Sequence, residues 1–210
     1  MFYPLFLDLI DRPVLVVGGG VVAERKVNSL LEAGADVRLV SPDLTDHLQE
    51  LSTRKAIRVH HRKFQESDLD GVMLVVSATD DRPTQEQVAE AARGRGILVN
   101  TVDRPALCDF IVPAVLRQGD VVLAISTSGR SPSLAAALRA KLEKVVTPDV
   151  ARAARVLGEV RSEVHEQFPD PDKRKEVFER IVETGILDWI SQCDDATALR
   201  RVRDIIERTK

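Results

Sequence analysis

Three consecutive glycines, Gly18-Gly19-Gly20, follow the short apolar run Val14–Val17, and Ala23 stands three residues further on. Gly18, Gly20 and Ala23 therefore make G-x-G-x-x-A between a predicted strand and a predicted helix. The first glycine allows a tight turn, the second lets a pyrophosphate approach the backbone, and the small third residue lets helix pack on strand. Free N–H groups and the positive dipole end of the helix then face the phosphates. In this strand–loop–helix context the spacing points to a bound dinucleotide, Val21 and Val22 being the first residues of the helix. A glycine-rich turn without a ligand is the alternative.

An acidic residue after the second strand commonly binds the ribose of such a cofactor. Here Ser41-Pro42-Asp43 ends the run Val37–Val40, so Asp43 is a candidate ribose contact, or else a cap for a helix starting at Leu44. No arginine follows the strand to receive a 2′-phosphate, which favours NAD over NADP. A second carboxylate, Asp103, comes directly after the late strand Ile97–Asn100. Ligands of open α/β sheets lie beyond the carboxyl ends of the strands. Asp103 could therefore take a proton from a substrate carbon while hydride leaves its neighbour, or it could cap a turn.

The elements around these residues alternate. Strands are predicted at Val14–Val17, Val37–Val40, 57–60, 72–77 and 97–100, with helices starting after Gly20, at about Leu44 and at about Thr84. That alternation reads as a doubly wound parallel sheet. Beyond it, 110–116 and 121–126 read as a hairpin turning at Gln118-Gly119-Asp120. Ser131-Pro132 and Thr147-Pro148 open helices. From there to Lys210 the pattern is helical, broken near Pro169–Pro171, Gly185 and Asp194-Asp195.

Composition narrows the partners. The chain has 210 residues, 44% of them hydrophobic and 30% charged, with a net charge of −3. Such a balance gives no global attraction to nucleic acid or anionic membranes, so any anionic ligand must be held locally. No apolar run reaches the roughly 18–20 residues needed to span a bilayer, and the short apolar start lacks the basic leader of a signal peptide. Two cysteines, Cys108 and Cys193, make neither a disulfide framework nor a metal motif and suit a cytoplasmic protein. His60-His61 are neighbours on a strand, so their rings point to opposite faces and do not share a metal. His47 and His165 have no partner at ligand spacing, Trp189 reads as packing the helical tail with Ile186 and Ile190, and Arg25-Lys26 read as helix residues bracketing the site.

Four stretches, in order, resemble one family: V-V-G-G-G-V-V-A-E-R-K (Val16–Lys26), S-A-T-D-D (Ser77–Asp81), V-N-T-V-D-R-P-A-L-C-D-F (Val99–Phe110) and S-T-S-G-R-S-P (Ser126–Pro132). The family is that of the precorrin-2 dehydrogenases and sirohydrochlorin ferrochelatases, including the N-terminal module of siroheme synthase. The resemblance implies an α/β, Rossmann-type doubly wound sheet over residues 1–112. A hairpin and helix segment for dimerisation and substrate (113–146) and a helical subdomain (147–210) would follow. It implies NAD-dependent oxidation of precorrin-2 to sirohydrochlorin in a homodimer, with Asp103 catalytic. Cofactor contacts would fall on Gly18, Gly19, Gly20, Val21, Val22, Pro42, Asp43, Thr79, Asp80, Asn100 and Thr101. In some members the same site also inserts ferrous iron, which here would bind transiently through Asp103 and at no permanent metal site. The substrate is a tetrapyrrole polyanion. Thr127, Ser128, Gly129, Arg130 and Ser131 offer it hydroxyls, amides and a guanidinium beside a helix N-terminus, although Ser131 could simply cap that helix. Two other functions stay open at this point: an NAD-sensing regulatory module without chemistry, and a chelatase that has lost hydride transfer.

Overall fold

The computed structural model describes residues 2–210 and divides into two compact units, Met1–Val112 and Pro113–Lys210. The first is a five-stranded parallel sheet in the order β3-β2-β1-β4-β5. Its strands are β1 (Pro13–Val17), β2 (Asp36–Val40), β3 (Arg58–His60), β4 (Leu74–Ser77) and β5 (Leu98–Thr101). The helices α1 (Val21–Glu32), α2 (Asp46–Thr53) and α3 (Arg82–Gly94) connect them. Both faces of the sheet are covered, which explains strands that read as unbroken β-branched runs rather than alternating ones. Val14, Val16, Val37, Leu39, Leu74 and Val76 pack with Ala23, Val27 and Leu48 on one face. Leu15, Val17, Val40, Val75 and Val99 pack with Val88, Ala89 and Ala92 on the other.

Strand order reverses between β1 and β4, so a crevice opens beyond their carboxyl ends. The turn from β1 into α1 sits at that crevice.

The second helix begins later than its sequence suggests. Thr45, rather than Asp43, is its N-cap, accepting the Leu48 amide at 3.3 Å while its hydroxyl donates to Glu24 at 2.6 Å. One side chain thereby caps α2 and ties it to the first turn of α1.

Residues 110–113, expected as strand, are not. Just before them Asp109 binds the outer edge of β5: its amide donates to the Val99 carbonyl at 2.8 Å, and its carboxylate accepts the Val99 amide at 3.1 Å. The chain is thus used to cover an edge strand instead of extending a new one.

In the second unit β6 (Ala114–Gln118) and β7 (Val121–Ile125) form an antiparallel hairpin. Then come α4 (Pro132–Leu142), α5 (Pro148–Glu159), α6 (Arg161–Gln167), α7 (Pro171–Glu183), α8 (Ile186–Trp189) and α9 (Asp195–Glu207). Val160 interrupts the helical run between α5 and α6, a break the sequence does not announce. Val156, Val164, Val177, Ile181, Ile186, Trp189, Ile190, Val202 and Ile206 form the helical core, with Arg201 stacked over Trp189 at 4.2 Å from the ring centre.

Candidate functional site

The three glycines do three different jobs. Gly18 has φ +120, its amide donates to the Val40 carbonyl at 2.9 Å, and a Cβ there would meet the Ala78 carbonyl oxygen at 2.5 Å. It is the residue that lets the loop cross tightly over the end of β4. Gly19, an unconstrained position in the sequence pattern, is the most crowded of the three. A Cβ on it would come within 2.0 Å of the Asp43 carbonyl oxygen and 2.8 Å of the Ser41 hydroxyl oxygen. Gly20 is the reverse: nothing lies within 4 Å of its would-be Cβ. It is the N-cap of α1, and no side chain caps that helix.

An uncapped helix start beside an open glycine is a cradle of the size and polarity for a pyrophosphate. Exposed Val21 and half-buried Val22 flank it. The residues present therefore fit a dinucleotide.

At the end of β2, Pro42 and Asp43 are exposed. With Thr45 capping α2, the Asp43 carboxylate is not engaged as a helix cap, and its backbone carbonyl packs against Gly19. Beyond β4, the Thr79 hydroxyl accepts the Asp81 amide at 3.2 Å and the Thr79 carbonyl accepts the Gln85 side-chain amide at 2.7 Å. Asp80 beside it is exposed. Ser77 and Thr101 pair in register at the carboxyl ends of β4 and β5, and both hydroxyls are buried without a hydrogen-bond partner. Buried polar atoms rarely stay unpaired, so the sheet ends on two orphaned polar groups.

Asn100 and Cys108 build the loop that carries Asp103. The Asn100 side-chain amide donates to the Phe110 carbonyl at 2.9 Å. The Cys108 thiol accepts the Thr101 amide at 3.2 Å and donates to the Thr101 carbonyl at 3.1 Å. Between these anchors Asp103 is exposed at φ +58, a left-handed conformation that carboxylates and their amides tolerate better than most residues. Asn100 thus braces the loop, and Asp103, three positions further on, presents a free carboxylate.

Lys26, set aside in the sequence as a helix residue, is half-buried on α1. Burial and the neighbouring Arg25 lower its pKa from the ordinary lysine value, while the nearby Asp103 carboxylate pushes it up. The signal available beforehand was its i, i+4 spacing from Val22, which puts both on one row of the helix.

The loop Thr127–Ser131 belongs to the second unit. The Thr127 hydroxyl accepts the Ser131 amide at 2.9 Å and donates to its carbonyl at 3.0 Å, and the Ser131 hydroxyl caps α4 by accepting the Leu134 amide at 3.2 Å. Two of the hydroxyls are therefore engaged within the loop. Ser128 (φ +54), Gly129 (φ +79) and Arg130 stay exposed. A cavity of about 580 Å³ lies elsewhere in this unit, lined by Leu157, Arg161, His165, Arg174 and Phe178 among others. Among the described residues no group of three or more His, Cys, Asp or Glu could hold a metal ion, and no helix is long and apolar enough to cross a membrane.

A strand-order reversal with an uncapped, glycine-lined helix start defines a Rossmann-type dinucleotide-binding domain. Residues 5–114 match the family model described as NAD(P)-binding, and the chain belongs to that family. Residues 150–206 match the sirohaem synthase dimerisation region. Among curated proteins the chain is 42% identical over 182 residues to the siroheme synthase of Methylococcus capsulatus, covering 87% of this chain and 38% of the relative. It is 40% identical over 200 residues to that of Pseudomonas fluorescens, covering 94% and 43%. The chain therefore spans about two fifths of the length of these relatives. A solved structure, SirC, a precorrin-2 dehydrogenase, is similar over 99% of this chain and 98% of its own, with a TM-score of 0.72 and 28% identity.

Proposed function

We propose that this chain is an NAD-dependent precorrin-2 dehydrogenase. The observation that carries the reading is the open cradle at Gly20 and the uncapped start of α1, in the same unit as a free carboxylate, Asp103, held at φ +58. End-to-end similarity to a precorrin-2 dehydrogenase supports it.

Gly18, Gly19 and Gly20, with the Val21 and Val22 amides, hold the pyrophosphate, and Asp43 accepts the ribose hydroxyls. Pro42, Thr79, Asp80 and Thr101 line the crevice. Asn100 contributes by bracing the loop. NAD, when bound there, supplies a hydride acceptor. Asp103 takes the proton lost from the substrate as the hydride leaves its neighbouring carbon, so that precorrin-2 loses two electrons and two hydrogens to become sirohydrochlorin. Ser128, Gly129 and Arg130 face the acidic arms of the substrate, with Thr127 and Ser131 shaping that loop.

The match to a dimerisation region supports a homodimer. The bacterial relatives and two free cysteines support a cytoplasmic setting. That the curated relatives are named siroheme synthases favours iron insertion as a second step at the same carboxylate, ferrous iron being a substrate there.

The test is to incubate the protein with NAD and precorrin-2 and follow NADH absorbance, then repeat with ferrous ion. Asp103→Asn keeps the left-handed turn, so it should bind NAD as wild type does and produce no NADH. Wild-type turnover in that variant removes Asp103 from the chemistry. NAD binding without any NADH from wild type leaves a sensing module, and NAD-independent iron insertion leaves a chelatase.

A further inference from the structure

We infer that Lys26 is an anchor for a substrate carboxylate beside Asp103, a role that rests on the dehydrogenase reading. Lys26 lies one turn along α1 from Val22, on the row flanking the Ala23–Val27 ridge that packs on the sheet. Successive residues on such a row are about 5–6 Å apart, so the ammonium emerges on the cofactor side of the helix but deeper than its N-terminus. The Asp103 carboxylate lies near enough to act on that charge, opposing the burial and the Arg25 guanidinium that lower the Lys26 pKa, so the half-buried ammonium is on the side of the helix toward the free carboxylate.

No carboxylate among the described residues comes within ion-pair distance of Lys26. The two arginines that contact the Asp103 loop or flank it are engaged: Arg93 pairs with Asp109 at 3.0 Å and Arg104 with Glu86 at 3.0 Å. Arg25 is exposed and points about 100° around the helix from Lys26. A half-buried ammonium without a counter-ion carries a desolvation cost that an incoming anion removes. The pyrophosphate is already served by the helix start at Gly20. The anion left for Lys26 is one that arrives with the substrate, and an acidic tetrapyrrole carries carboxylates around its whole rim. Binding one of them here would hold the macrocycle against the Asp103 loop.

The full chain is compared with Lys26→Met, Lys26→Gln and Lys26→Arg in three measurements: fluorescence titration of uroporphyrin III without NAD, calorimetric titration of NAD, and KM and kcat for precorrin-2. An anchor predicts that Met and Gln weaken uroporphyrin III binding and raise KM by about ten-fold, with kcat within about two-fold and NAD affinity unchanged. Arg should restore most of the affinity. Unchanged porphyrin affinity and KM in both neutral variants overturns the assignment. So does a loss confined to kcat or to NAD affinity, or a wild type that binds no uroporphyrin III. A wild type that binds the porphyrin but yields no NADH defeats the dehydrogenase reading alone, and the porphyrin titrations still decide the role of Lys26.

Discussion

The Cys108 thiol brackets Thr101, accepting its amide at 3.2 Å and donating to its carbonyl at 3.1 Å. Those two contacts close the loop of which Asp103 is the exposed tip. The thiol is a staple, and the loop depends on it. Cys108→Ala should lower stability by about 1 kcal/mol, the net worth of such a hydrogen bond, seen as a lower urea midpoint. It should also reduce turnover while leaving NAD affinity intact. Cys108→Ser, with a shorter bond to a smaller atom, should recover part of both. Full activity in the alanine variant would mean that the loop holds its shape without the thiol.

Gly19 and Gly20 are neighbours with opposite surroundings. Gly19→Ala drives a Cβ to 2.0 Å from the Asp43 carbonyl, backbone that cannot turn aside. We expect a loss of roughly 1–3 kcal/mol, the usual cost of overpacking, together with loss of NAD binding. Gly20→Ala meets nothing within 4 Å, and Gly20 has φ −85, open to any residue. That variant should melt like wild type yet bind NAD poorly, because its methyl group occupies the cradle. Thermal melts alongside NAD titration separate the two, and normal NAD affinity in Gly20→Ala would move the pyrophosphate elsewhere.

Ser131 and Arg130 divide the labour of the second loop. Ser131 caps α4, so Ser131→Ala should cost about 1 kcal/mol of stability and leave KM for the substrate near wild type. Arg130 is exposed, and while its amide donates to the Thr127 carbonyl at 3.1 Å, its guanidinium has no hydrogen-bond partner among the described residues. Arg130→Gln should therefore raise KM with no change in melting temperature. The reverse pattern would make the cap the substrate contact.

Much of this was readable beforehand, for definable reasons. The β1–glycine–α1 unit announces itself because both faces of β1 are buried, so Val14–Val17 is continuously apolar, and because the turn needs glycine at Gly18. The hairpin was legible from Gln118-Gly119-Asp120, and the opening of α4 from Ser131-Pro132. What escaped was set by contacts between distant residues. The crowding at Gly19 comes from Asp43, and the cap of α2 passes to Thr45 partly because Glu24 holds its hydroxyl. The staple from Cys108 to Thr101 likewise leaves no local mark. Lys26 looked like a solvated helix residue because Asp103, the opposite charge that acts on it, lies more than 75 positions away along the chain.

Acid should reach the first unit through Asp68. This nearly buried carboxylate accepts two bonds from the Arg62 guanidinium, at 2.8 and 2.6 Å, and one from the Gln65 amide at 2.8 Å. Burial alone would raise its pKa, but the Arg62 bonds, the Gln65 amide and the nearby positive charge together hold it below the ordinary aspartate value. A depressed pKa in the folded state means that the stabilisation is fully present above the unfolded value and is lost as pH falls through the folded one. Asp68→Asn should therefore be less stable than wild type at neutral pH, and the gap should close as the pH drops below about 4. Urea midpoints of both proteins at about pH 7 and about pH 3 measure it. A gap that stays constant or widens in acid would mean that Asp68 is not ionised in the folded chain, and that the Arg62 contact stabilises through geometry rather than charge.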